Sequence, residues 1–410
     1  MLLSAMLRHI VRRGTLRVYD AKGEAHVFSG DPWRSITMRL HDVAVARELF
    51  FNGRLKLGEA FMDGRLTVES GSIYDLLDFF GVNMSLAPPH LMMRLSDEIG
   101  RLLRVFQQYN PLAKARHNVA HHYDLSDTLY SLFLDNDRQY SCAYFTTPHD
   151  SLEDAQSNKK RHLAAKLLLA PGQHVLDVGS GWGGLAIYLA QQCDLRVTGI
   201  TLSVEQLRVA RRRAAEAGLS DRVNFELMDY REVTGRFDRI VSVGMFEHVG
   251  VVHYTAFFQK MREILADDGV ALLHSIGRAD GPGYTNAWIR KYIFPGGYSP
   301  AISEVVPVVE RTGLWITDIE ILRLHYAETL RQWRTRFLAN RDRVSALYDE
   351  RFCRMWEFYL AGSEVAFRLQ GHLVFQMQLA KTVDAVPVTR DYMIDWERSH
   401  RVPVADERAA

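Results

Sequence analysis

The chain has 410 residues, long for a single typical domain, and its 47% hydrophobic and 24% charged content is that of a folded globular protein. Lys and Arg number 50 against 49 Asp and Glu, a formal net charge of +1, so no global basic field draws in nucleic acid. The three cysteines, Cys142, Cys193 and Cys353, lie far apart without a Cys-x-x-Cys spacing, which argues against a disulfide framework or a zinc site and fits a reducing cytosol.

Met1 to Arg13 sets Leu2, Leu3, Met6, Leu7 and Ile10 against Arg8, Arg12 and Arg13. That pattern suits a helix lying in a membrane interface or, equally, one packed on its own domain. The segment is short and lacks a cleavage-site pattern, so it does not read as a secretory leader. No run approaches the ~20 apolar residues of a spanning helix. Thr15–Tyr19 alternates as a strand and leads into a turn at Ala21–Glu24. Val43–Phe51 and Ser72–Phe80 read as helices, as does Leu91–Gln108 between the breaks at Pro88-Pro89 and Asn110-Pro111. A domain boundary is expected within 86–116, dividing a smaller α+β domain, 1–100, from a larger one, 101–381. The polar tail, 382–410, is expected to be poorly ordered.

From about residue 160 strands and helices alternate. Strands are expected at Val175–Gly179, Leu195–Ile200, Arg222–Met228, Phe237–Val243, Val270–Ile276, Leu314–Leu322 and His372–Gln378. Helices are expected at Leu185–Gln192, at Ser203–Gly218 with Ser203 and Gln206 as a capping box, and over 326–366. Repeated β-α-β units make an open parallel sheet covered on both faces, an α/β Rossmann-like fold.

Between the first of these strands and its helix lies Asp177-Val-Gly-Ser-Gly-Trp-Gly-Gly184. Gly179, Gly181 and Gly184 give G-x-G-x-x-G, a turn through which backbone approaches a ligand closely. Nicotinamide, flavin and adenosylmethionine sites share it. The second strand ends Gly199-Ile-Thr-Leu-Ser203, without the carboxylate that a dinucleotide site uses about 20 residues on. That weakens a nicotinamide oxidoreductase without choosing among the other cofactors.

Several blocks together resemble the cyclopropane-fatty-acid synthase family, which includes the mycolic acid cyclopropane synthases. They are Ala120-His-His-Tyr-Asp-Leu125, Arg138-Gln-Tyr-Ser-Cys-Ala-Tyr144, the glycine turn, Gly199–Ser203, Ser242-Val-Gly-Met-Phe-Glu-His-Val-Gly250 and Tyr292-Ile-Phe-Pro-Gly-Gly-Tyr298. The match runs from about 110 to 380, and Gly58–Gly64 resembles the two-domain members. The resemblance implies a class I S-adenosylmethionine-dependent methyltransferase domain with helical insertions. It implies that Tyr140 and Ser141 meet the methionine end of S-adenosylmethionine, that Gly179 and Gly181 pass under it, that Thr201, Leu202 and Gln206 hold the ribose, and that Asp229 and Tyr230 flank the adenine. It also implies a bicarbonate ion held by Cys142, Glu247, His274, Ile276 (through its backbone) and Tyr326. Ser180 stands where close relatives often carry cysteine.

The implied reaction adds a one-carbon unit to the double bond of an unsaturated phospholipid acyl chain. An alkene is a weak nucleophile, so alignment supplies much of the rate, and transfer leaves a cation that aromatic faces stabilise. Tyr123, Tyr140, Tyr144, Trp182, Phe246, Tyr292, Phe294 and Tyr326 are candidates for those faces. Ring closure then needs a base beside the new methyl group. Taken singly, His274 reads as a satisfied core histidine, Cys142 as an inert thiol and Glu247 as a cap. Metal binding by His121, His122 or His274 lacks a second ligand pair at suitable spacing. The resemblance implies a cytoplasmic, peripherally membrane-associated homodimer. Other outcomes of the same chemistry are a methylene or methyl-branched chain, and a more distant reading is a small-molecule O- or N-methyltransferase.

Overall fold

The structure, a computed structural model, describes residues 2–86, 98, 100 and 126–400. The expected Leu91–Gln108 helix (save positions 98 and 100), both proline breaks and the Ala120–Leu125 block with Tyr123 lie outside the described residues.

The chain opens with α1 (Leu2–Ile10), β1 (Arg13–Tyr19), β2 (Ala25–Ser29), β3 (Asp31–Leu40), α2 (Val43–Met62), β4 (Leu66–Ser70) and α3 (Ile73–Leu86). Strand order is β2-β1-β3-β4, with β1 and β3 parallel and the other pairs antiparallel. The alternation of β1 buries Leu16 and Val18 completely. The helix α1 forms as its apolar spacing dictates, but Leu3, Met6, Leu7 and Ile10 all point inward while Arg8 is exposed. The burial of Leu3, Met6, Leu7 and Ile10 against their own domain fits the packing reading of this segment. The helix expected to end at Phe51 continues to Met62 across a kink at Asn52, whose φ/ψ of −147°/55° leaves the helical region.

There follow α4 (Asp127–Ser131), α5 (Leu152–Leu167), β5 (His174–Val178), α6 (Gly184–Gln192), β6 (Arg196–Thr201), α7 (Val204–Glu216), β7 (Val223–Leu227), β8 (Phe237–Val243), α8 (Tyr254–Ile264) and β9 (Leu265–Arg278). The remainder is α9 (Ala287–Tyr292), α10 (Ile302–Thr312), β10 (Trp315–Ile321), α11 (His325–Ala339), α12 (Arg341–Leu347), α13 (Glu350–Leu369), β11 (His372–Ala380) and α14 (Asp391–Ser399). Their strands form one sheet in the order β10-β11-β9-β8-β5-β6-β7. Strand β11 runs antiparallel to both of its neighbours, so the sheet is mixed rather than wholly parallel. The chain winds from β5 to β6 and β7 on one side and returns to β8 on the other. The switch between β5 and β8 leaves a crevice at their carboxyl ends, the usual ligand position in such sheets.

Three further expectations are corrected. The stretch 326–366 is three helices, because the chain breaks at Asn340, whose Nδ2 donates to the Leu132 carbonyl (3.0 Å), and restarts at Asp349, the N-cap of α13. The tail is ordered through α14, which packs on α5 and places Glu397 Oε1 2.8 Å from His162 Nδ1. Ser203 does cap α7, accepting from the Gln206 amide at 3.3 Å, but the Gln206 side chain does not complete a capping box; its Oε1 accepts from Thr201 Oγ1 at 2.9 Å.

One apolar core joins α1–α3, β1 and β3 to Tyr130, Phe133, Trp182, α11 and α13. Two others cover the seven-stranded sheet. The amino-terminal elements therefore share a core with the helices that roof the crevice.

Candidate active site

Strand β5 delivers Asp177 and Val178 to the crevice, and the chain turns there through Gly179 (φ 85°), Gly181 (φ 55°) and Gly183 (φ 83°). These left-handed backbones favour glycine. A Cβ at Gly179 would also lie 2.9 Å from Met245 Cβ, and one at Gly183 2.7 Å from Phe225 Cζ. At Gly181 nothing lies within 4 Å, so backbone there faces open space. The amides of Gly179 and Ser180 donate to the Ile200 carbonyl at 3.0 and 2.9 Å, fixing the turn to β6.

The space above this turn is lined by Tyr140, Ser141, Gly179, Gly181, Thr201, Leu202, Gln206, Asp229 and Tyr230. All nine residues expected around the cofactor thus meet in one pocket. Asp229 is buried, with Oδ1 and Oδ2 held by the Arg231 guanidinium at 2.7 and 2.9 Å. Sequence reading missed Lys159, Asp177, Arg138 and His248, which line the same pocket. Lys159, from α5, is buried and donates to Gln139 Oε1 (2.6 Å) and Ser141 Oγ (2.9 Å). Burial pushes its ammonium down to about 8. Asp177 Oδ2 is buried without a hydrogen-bond partner among the described residues, and burial raises that carboxyl to about 7.

A second cavity, about 850 Å³, adjoins the first and is mostly apolar. Cys142, Glu247, His274, Ile276 and Tyr326 all line it. Four residues, Tyr140, Ser141, Gly244 and His248, line both spaces and lie where the two adjoin. Glu247 sits in the turn after β8, and its Oε1 accepts from the Ile276 amide at 2.6 Å. Its Oε2 is buried without a partner among the described residues. Burial raises the Glu247 carboxyl to about 7, against the pull of the Ile276 amide. The Ile276 amide is therefore engaged, and its carbonyl accepts from Ser275 Oγ at 2.9 Å. His274, pointing in from β9, has Nδ1 3.2 Å from Gln376 Nε2. Burial, with the cations Lys159 and Lys166, holds His274 well below its usual range, so it is neutral. With the Gln376 amide as donor, its proton sits on Nε2. Cys142 is pushed up by burial and stays a thiol. Tyr326 packs 5.8 Å from the Trp333 ring, edge to face.

Of the expected aromatic faces, Tyr140, Phe294 and Tyr326 line the cavity and Trp182 lines the cofactor pocket. The other described candidates do not: Tyr144 stacks between His162 and His325, Phe246 stacks on Tyr254, and Tyr292 donates to Glu59. The cavity wall also draws on α1, α2 and α3, including Leu7, Phe50, Leu57 and Phe80, a contribution the sequence reading did not foresee.

Residues 111–377 match the family model described as mycolic acid cyclopropane synthetase. The chain is 38% identical to the cyclopropane-fatty-acyl-phospholipid synthase of Escherichia coli over 84% of its own length and 88% of that protein's. It is 37% identical to the tuberculostearic acid methyltransferase UfaA1 of Mycobacterium tuberculosis, over 92% of this chain and 90% of that one. Among solved structures it is similar to the cyclopropane synthase MmaA2 from Mycobacterium tuberculosis, at a TM-score of 0.63 and 34% identity, covering 66% of this chain and 99% of that one. A cyclopropane synthase solved with S-adenosylhomocysteine gives a TM-score of 0.62 at the same identity. The glycine turn, the joined pockets and these likenesses agree: the chain belongs to the mycolic acid cyclopropane synthetase family and is an S-adenosylmethionine-dependent methyltransferase.

Proposed function

We propose that the protein is a cyclopropane-fatty-acyl-phospholipid synthase, converting the cis double bond of an unsaturated phospholipid acyl chain into a ring. The observation that carries this reading is the junction at Tyr140, Ser141, Gly244 and His248. It would open the cofactor pocket onto a largely apolar cavity whose lining includes all five residues expected around bicarbonate.

The residues fit both small groups. Glycine backbone at 179 and 181 leaves room for the methyl donor, and the unpartnered Asp177 Oδ2 supplies a polar contact. Bound S-adenosylmethionine would supply the activated methyl group. The cavity's apolar lining would exclude water and align the alkene, while Tyr140, Phe294 and Tyr326 offer aromatic surface to positive charge on the chain. For the anion, the Cys142 thiol, the Nε2–H of neutral His274 and a protonated Glu247 are donors, and Glu247 Oε2 awaits a partner. Bound bicarbonate would supply the base for the proton lost on ring closure.

The wider reading is that of a cytoplasmic homodimer working at a membrane surface, with residues 1–100 serving lipid binding or dimerisation, 101–381 catalysis, and 382–410 as a tail. No helix among the described residues is long and apolar enough to cross a membrane. A second reading, methyl transfer ending in a methyl-branched or methylene chain, is favoured by the long match to a tuberculostearic acid methyltransferase. A small-molecule O- or N-methyltransferase would leave the apolar cavity without purpose.

The test is to incubate the protein with methyl-labelled S-adenosylmethionine and monounsaturated phospholipid vesicles, then weigh the released acyl chains. A gain of CH₂ with loss of the alkene supports ring formation. A gain of CH₂ with an alkene retained, or, with a hydride donor such as a reduced nicotinamide added, of CH₂ and two further hydrogens, moves the protein to the second reading. No label in the acyl chain rejects both.

A further inference from the structure

Lys159 is a buried cation whose direct hydrogen-bond partners are neutral, with Asp135, Asp137 and Asp177 acting on it only through space. Its side chain is fully enclosed, yet its hydrogen bonds to Gln139 Oε1 and Ser141 Oγ both go to uncharged oxygens. Among the described residues no carboxylate pairs with it. The other cations lining the pocket have such partners: Arg231 holds Asp229 at 2.7 Å, and Arg138 lies 3.5 Å from Asp127. A buried ammonium without a counter-charge is costly unless something else supplies the charge.

The position of Lys159 says what that would be. Ser141, its partner, lies where the two cavities adjoin. A transferable methyl must face that junction, so the sulfur end of the donor lies there, and the adenosine extends away from it. Beyond sulfur the donor carries only its amino-acid part, whose one negative group is a carboxylate. We propose that Lys159 is the cationic seat for that carboxylate, and that it orients Ser141 for the same group. By donating to Ser141 Oγ it leaves the hydroxyl proton free to point into the pocket. The carboxylate gives the ammonium a counter-charge in direct contact, where Asp135, Asp137 and Asp177 act only through space.

The inference rests on the methyl-donor reading of the pocket, and the ligands chosen keep the two apart. Affinities of the intact protein are measured by calorimetry for S-adenosylhomocysteine, for its decarboxylated analogue and for 5′-methylthioadenosine, which lacks the whole amino-acid part. If wild type binds none of them, the pocket reading itself fails. If it binds them but the decarboxylated analogue as tightly as S-adenosylhomocysteine, Lys159 has no such role. The expected result is a loss of roughly ten- to a hundredfold for the decarboxylated analogue. K159Q, which keeps a donor toward Gln139 and Ser141 but no charge, should weaken S-adenosylhomocysteine by a similar factor and leave methylthioadenosine within about twofold. Equal weakening of both ligands, or of neither, would overturn the proposal, since a lysine that only shapes the 139–141 loop would not distinguish them. Should K159Q not fold, the wild-type comparison of the three ligands decides.

Discussion

Glu247 and Ile276 are joined across two neighbouring strands: the Glu247 carboxylate, at the end of β8, accepts the Ile276 amide of β9 at 2.6 Å. One oxygen is thereby fixed and the other is left buried without a hydrogen-bond partner among the described residues, beside the cavity that Glu247 lines. Replacing Glu247 by Gln keeps the volume and one acceptor but removes the acid. We expect acyl modification to fall by two orders of magnitude or more, a barrier higher by about 3 kcal/mol, while S-adenosylhomocysteine binding stays within about twofold. Equal loss of both would mean that Glu247 only holds the fold.

The same residue makes stability depend on pH. Its carboxyl titrates near 7 when folded and near 4.5 when unfolded, so between these values the folded state binds the proton more tightly. The contribution is present below the unfolded value and is lost as pH rises through about 7. Glu247→Gln should therefore stabilise the protein at pH 8 by roughly 1–3 kcal/mol relative to wild type, with little difference at pH 4. Denaturant melts at the two pH values measure it.

His162 lies between Glu320 and Glu397, at 2.6 and 2.8 Å, and is one of the links by which α14 reaches the sheet, beside the contact of Tyr392 with Gln378. Burial pushes its imidazole down, but the two carboxylates outweigh that and raise it. A raised histidine stabilises below its unfolded value near 6.5 and loses that contribution as pH climbs through the folded one. Amide exchange over 391–399 should speed up as pH rises above neutrality, beyond its intrinsic base catalysis. In Glu397→Gln it should be fast throughout. A protection factor independent of pH in wild type would exclude this latch.

Gly362, in the middle of α13, lines the apolar cavity, and a Cβ there would meet only Leu77 Cδ1, at 3.8 Å. Gly362→Ala should stabilise by about 0.5–1 kcal/mol through helix propensity, with activity retained. Gly362→Phe should narrow the cavity and lower turnover of long acyl chains more than of short ones, at unchanged cofactor affinity. Uniform loss across chain lengths would remove this position from the chain's path.

The segment carrying Cys142 is held from α11: Thr329 Oγ1 accepts the Ala143 amide at 3.0 Å and donates to the His325 carbonyl at 2.7 Å. Thr329→Val leaves a buried amide unpaired and should cost roughly 1–3 kcal/mol. Thr329→Ser should restore most of it; failure of that rescue would point to packing of the methyl group instead.

How much of this was legible in the residues differs from place to place. The 177–184 turn was readable because three left-handed backbones require glycine. The direction of β11 was not, since a strand buried on both faces has the same apolar sequence whether parallel or antiparallel. Helix α5 went unseen because Lys159, His162 and Lys166 look like a solvated face, although all three are buried. The five residues around the second cavity were collected by resemblance; nothing in their individual neighbourhoods separates them from core residues. Leu7, Phe50 and Phe80 carry no mark at all, because an apolar side chain lining a cavity is spelled like one filling a core.

The presence of α1 in the cavity wall has a consequence for how this enzyme can be made and altered. Its first helix and its α13, separated by most of the chain, face the same space. On a ribosome the pocket for the methyl donor can close early, but the chamber beside it waits for residue 369 and beyond. The amino-terminal part is accordingly no detachable module. Exchanging it between relatives would transplant half a chamber, and such hybrids should inherit their acyl preference from both parents.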